Sequence, residues 1–157
     1  GFGSIIVTYT SETENQMAYV SQELKAKLAP SIKAVCKKYG IKASIAVRNH
    51  STLVLNIKQG SIDFIENYID TDKVKPYYNY MSEADIASIR KNQSLDVNPY
   101  HYKDHFSGRA LKFLQEVMPI MNDGNWDKSD IQTDYFNVGW YVDVNIGRWN
   151  KPYALEK

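Results

Sequence analysis

The sequence predicts an α+β fold, an antiparallel sheet of about four strands with helices covering one face. Three observations carry that prediction. Residues 41–60 hold two alternating apolar/polar runs joined by a polar turn, the pattern of a β-hairpin. Residues 140–146 alternate with the same period of two and supply a further strand. The segments before and between them repeat apolar residues every three or four positions, as amphipathic helices do.

The elements follow in order. Residues 1–4 read as a leftover of expression and receive no role. Residues 4–9 are β-branched and short, an edge strand or the fourth strand of the sheet. Ser11-Glu12-Thr13-Glu14 matches a capping box and opens a helix. Its stripe runs Met17, Val20, Leu24, Leu28, Ile32, Val35, Tyr39, passes Pro30, and ends at Lys37, Lys38 and Gly40. In the hairpin, Ile45, Val47, Leu53, Leu55 and Ile57 fall on one face, so Ser44, Arg48, Asn56 and Lys58 are expected to stay wet. Such a hairpin is marginal alone, so the helices must cover it.

Ser61 is placed to cap a short helix carrying Ile62, Ile65 and Ile69, and Ser82-Glu83-Ala84-Asp85 opens another that frays near Ser94. Ser107 is placed to cap a third, with Leu111, Leu114, Val117, Met118 and Met121 inward. Trp140, Val142, Val144 and Ile146 form the inner face of the last strand, and residues 153–157 read as a loose tail. No repeat, low-complexity tract or linker divides the chain, so residues 1–157 read as one compact domain.

Composition narrows the class. With 157 residues and 43% hydrophobic content the chain can bury a core, and no apolar run reaches membrane-spanning length. The single cysteine, Cys36, forbids an intrachain disulfide and fits a reducing, intracellular setting; two glycosylation-like triplets then read as chance. Net charge is +1, but residues 1–60 carry eight Lys/Arg against three Asp/Glu.

Candidate sites follow from that charge and from the aromatics. Lys33, Lys37, Lys38, Lys42, Arg48 and Lys58 form a possible positive stripe for nucleic acid, although solvated lysines on an amphipathic helix look the same. Tyr77, Tyr78, Tyr80, Tyr100 and Tyr102 form two aromatic connectors suited to a protein-binding patch. His101 and His105 lie four apart, at zinc-ligand spacing on a helix, but the general-base glutamate of a metalloprotease motif is absent. Asp123, Asn125, Asp127 and Asp134 fall at calcium-loop positions, but Lys128 stands where such a loop needs glycine. Cys36 sits on an apolar helix and reads as a small buried hydrophobe. No phosphate loop or nucleophile elbow is present. The chain declares no enzymatic activity and calls for no cofactor.

Two stretches carry a resemblance. One is Lys33-Ala34-Val35-Cys36-Lys37-Lys38-Tyr39-Gly40 running into Ala43-Ser44-Ile45-Ala46-Val47-Arg48. The other is Gly124-Asn125-Trp126-Asp127 together with Asp134-Tyr135-Phe136-Asn137-Val138-Gly139-Trp140-Tyr141. With the hairpin they resemble small uncharacterised proteins of bacteriophages and other mobile elements. The helix-hairpin part is similar to a large polyvalent protein-associated domain, departing from it at Gly60-Ser61, where a Gly-Pro step is usual. The resemblance implies an accessory protein that acts by binding, with inhibition of a host CRISPR or restriction complex as the expectation. Direct DNA or RNA binding is the alternative, and a metal-dependent enzyme the second alternative. No membrane partner is expected, and an exposed sheet edge leaves a route to a homodimer.

Overall fold

In a computed structural model the described residues are 19–73, 81–125, 139–148 and 150–156. Helix α1 (Gln22–Lys38) starts where the Ser21 hydroxyl accepts the Leu24 amide at 3.0 Å, and ends on Lys37 and Lys38, cations suited to a helix C-terminus. The capping box at 11–14 lies outside the described residues. Leu28 and Ile32 of the predicted stripe are buried together with Cys36, while Leu24 and Val35 are half-buried.

Strands β1 (Ile41–Arg48) and β2 (Thr52–Gly60) form the expected hairpin, with Ile45 opposite Leu55 and Val47 opposite Leu53. Asn49 and His50 both take left-handed backbone at the turn, the conformation that matches strand twist in a tight hairpin. Next come α2 (Phe64–Lys73), α3 (Glu83–Asn92), β3 (Leu95–Val97), α4 (Tyr102–His105), α5 (Gly108–Met121), β4 (Tyr141–Ile146) and β5 (Ala154–Leu155). The α+β class stands, but the sheet is mixed rather than antiparallel. Its order is β1-β2-β4-β3, and β4 runs parallel to β2, with Leu55 beside Val144. Alternation fixes which face a residue takes and is silent on strand direction. The long helical connection between β2 and β4 supplies the crossover that a parallel pair needs. Strand β3, antiparallel to β4, is three residues long and too short to show a period.

Burial corrects two further expectations. Asn56 is buried, not wet, because β2 is flanked on both sides and Asn145 of β4 donates to its side-chain oxygen at 3.2 Å. The tail is docked over residues 153–156. Tyr153 is buried with its hydroxyl on the Ile62 carbonyl at 2.7 Å, and β5 pairs with the end of β2. Gly147 permits this return: its φ is +65°, and a Cβ there would lie 2.4 Å from the Gln93 carbonyl oxygen. Helix caps also shift. Ser61 bonds the Tyr39 carbonyl at 3.2 Å, while Asp63 accepts the Glu66 amide at 3.2 Å at the start of α2. The box at Ser82 and Asp85 forms in both directions, as predicted.

The core lies between the inner sheet face and the helices. Leu53, Leu55, Ile57, Val144 and Ile146 meet α1, α2 and α5. Phe113 of α5 is at its centre, edge-on to Tyr39 at 5.6 Å and to Phe64 at 5.8 Å between ring centroids.

Candidate functional site

The sheet ends at β1, which among the described residues pairs only with β2. Helix α1 lies over this edge strand, and the two leave a groove of about 450 Å³ between them. The helix contributes Ile32, Lys33, Cys36 and Lys37, the strand Ile41, Lys42, Ala43 and Ile45, and Leu55 lies beneath. Positions 32, 33, 36 and 37 share one helix face because they are three and four apart. The floor is therefore apolar, and the rim carries three lysines with one carboxylate, Glu156, beside them. Burial pushes the Cys36 thiol up to about 11, with a backbone hydrogen bond opposing, so at neutral pH it is a protonated part of the floor and not a nucleophile.

The six basic candidates do not form one stripe. Lys33, Lys37 and Lys42 gather at the groove. Lys42 has a carboxylate nearby, Glu156 at 3.7 Å, whereas Lys33 and Lys37 have no ion pair among the described residues. Lys38 turns the other way and bonds Glu116 of α5 at 2.7 Å. Tyr39 donates to the other oxygen of that carboxylate, and the Arg109 guanidinium stands 4.9 Å from the Tyr39 ring centroid. Arg48 falls by alternation on the opposite face of the sheet, and Lys58 is exposed at the register shift of β2, away from the groove lining.

That opposite face holds a wider concavity of about 870 Å³. Ser44, Asn56, Asn145 and Asp96 form one cross-strand row over it. Several of its groups answer one another: Arg48 bonds Asp143 at 2.8 Å, and Asn145 reaches Asn56 at 3.2 Å and Asp143 at 3.4 Å. A network already satisfied internally has less to give a ligand than lysines without carboxylate partners.

The aromatic and metal candidates separate. Tyr77, Tyr78 and Tyr80 lie outside the described residues; Tyr100 is exposed and Tyr102 is buried in the core, so these last two do not share a surface. Burial raises the Tyr102 pKa, as expected of a core phenol. His105 Nδ1 lies 2.9 Å from Asp72 of α2, whose side chain is 6% exposed, and the Tyr68 ring packs against the imidazole. His101 is exposed, 4.0 Å from Asp104. Among the described residues no group of three or more His, Cys, Asp or Glu is placed to hold a metal ion. Asp123 is exposed; Asp127 and Asp134 lie outside the described residues. Asn125 has a structural task, its amide spanning the Trp140 carbonyl and N–H at 3.0 Å each, which pins the entry of β4 to the end of α5.

The His105–Asp72 pair and the groove itself were not legible as units in the sequence, since each joins elements distant in the chain. Only the i, i+4 placement of Lys33 and Lys37 flanking Cys36 signals the groove in advance. No protein-family model, curated protein or solved structure matches this chain. Among the described residues, no helix is long and apolar enough to cross a membrane.

Proposed function

We propose that the chain is a non-enzymatic binding protein, an accessory protein of a bacteriophage or mobile element that engages a host defence complex of the CRISPR or restriction type through the α1–β1 groove. The observation that carries the binding reading is the groove, apolar below and bearing Lys33 and Lys37 without carboxylate partners among the described residues. Apolar area gives affinity when covered, and a charged rim selects and steers the partner. The mobile-element setting rests on the resemblance of the helix-hairpin and of the stretch around Trp140.

The test is expression of the chain in a bacterium carrying a CRISPR or restriction system, followed by phage challenge. The expected result is restored plating that K33E/K37E abolishes. Equal plating with chain and empty vector across defended hosts overturns the reading.

Nucleic acid is the second reading, favoured by the same two lysines. Retention of short DNA or RNA that falls by orders of magnitude between about 50 and about 200 mM salt would establish it. No retention at the lower salt removes it.

A further inference from the structure

We propose that the groove's occupant is an extended, acidic segment of a partner protein, added as a new strand to the edge of β1 that is unpaired among the described residues. The inference rests on the binding reading above and specifies how the partner is held.

The edge itself is the first argument. Open sheet edges present unpaired N–H and C=O groups, and natural proteins guard them with charge, proline or a bulge. Here those devices stand only at the ends of β1: Lys42 and the bulge between Lys42 and Ala43 at one end, Arg48 at the other. Arg48 is itself held by Asp143 at 2.8 Å. Between them Ala43-Ser44-Ile45-Ala46-Val47 carries neither charge nor proline. It is a template suited to pairing.

The second argument is the groove's position beside that edge. A strand laid along β1 would continue the inner sheet face, where Ala43, Ile45 and Val47 are only half-buried. Alternate side chains of the added strand would then point toward Ile32 and Cys36 under α1. Backbone pairing supplies affinity, and the apolar floor accepts every second residue.

Charge selects the occupant. Lys33, Lys37 and Lys42 rim the groove, and the chain's own Glu156 already sits against Lys42 at 3.7 Å, an acidic side chain from the neighbouring segment. A second copy of this chain would bring its own Lys33 and Lys37 toward the same place, like charge against like. An acidic segment alternating with β-branched residues fits both the edge and the rim.

The experiment uses the full chain, isotope-labelled, with a peptide of about eight residues alternating glutamate and valine and a control with lysine in place of glutamate. The glutamate peptide is expected to bind. K33E/K37E, two exposed substitutions, should weaken it about tenfold or more and reverse the preference toward the lysine peptide. Exchange of alternate amides between Ala43 and Val47 should slow on binding. Lysine-dependent binding without that slowing overturns strand addition and leaves the groove reading standing. Binding indifferent to K33E/K37E overturns both. Absence of peptide binding in a chain that still restores phage plating overturns strand addition alone. A peptide-free dimer with those amides already protected assigns the edge to a second copy and overturns the acidic occupant.

Discussion

Helix α1 carries adjacent lysines with opposite fates. Lys38 and its neighbour Tyr39 face α5, where Glu116 accepts from both and Phe113 meets the Tyr39 ring. Lys37, one residue earlier and about 100° around the helix, faces the edge strand with Lys33 and has no carboxylate among the described residues. The first side closes the fold; the second is left open. The difference lies in what stands opposite, not in the residue type. A lysine's role is set by its partner element, and that is why the basic candidates divide into groups on folding.

The largest expected effect breaks the closed side. Phe113→Ala removes a fully buried ring from between Tyr39 and Phe64 and should cost about 3–5 kcal/mol, read from the urea midpoint. K33E/K37E in the same assay should cost about 1 kcal/mol or less, since both side chains are exposed and the loss is confined to charge at the end of α1. If both variants lose comparable stability, the two sides of α1 do not differ as argued.

An intermediate effect is expected where α4 meets α2. His105→Ala leaves the Asp72 carboxylate, 6% exposed, without its imidazole and should cost about 1–3 kcal/mol. His101→Ala, at an exposed imidazole, should change little. Because His105 and Asp72 share one contact, pairing His105→Ala with Asp72→Asn should cost less than the sum of the singles. A strictly additive double variant would show that the pair is not coupled.

Much of the fold was legible in the residues. Alternation at 41–60 and 140–146 gave β1, β2 and β4, and helical spacing gave the buried stripes of α1 and α5. What escaped depends on contacts between distant segments. The parallel sense of β2 and β4, the burial of Asn56 against Asn145, and the docking of Tyr153 under Ile62 are set by packing across the chain. Of the candidate site, three basic residues were legible individually as Lys33, Lys37 and Lys42. The groove that unites them was not, because its floor comes from a helix, a strand and the strand behind it. Asn125 shows the converse: oxygen ligands at calcium-loop spacing looked like a site, yet its amide bonds the backbone of Trp140.

The smallest effects lie in pH, and only the closed side of α1 reaches the acid limb. On the closed side, Lys38 first and then the Tyr39 hydroxyl hold the Glu116 carboxyl below its ordinary value. A depressed carboxyl stabilises the fold above its unfolded pKa, about 4.3, and the contribution is lost as pH falls through the folded value. Glu116→Gln should therefore make the acid limb of the stability curve shallower. Because Glu116 also raises Lys38 and Tyr39, whose contributions are lost as pH climbs through their folded values, it should flatten part of the alkaline limb as well. On the groove side, burial raises Cys36 to about 11, so its proton is held more tightly folded than unfolded. Stability is lost as pH climbs from about 9 to about 11, and Cys36→Ala should flatten that window without touching the acid limb. Tyr68, Tyr102 and Tyr153, also raised by burial, titrate in both proteins, so the difference between them isolates the thiol. A peptide seated in the groove would bury Cys36 further and steepen the alkaline loss in the parent chain alone. If the peptide leaves that limb unchanged, its seat is elsewhere than over Cys36.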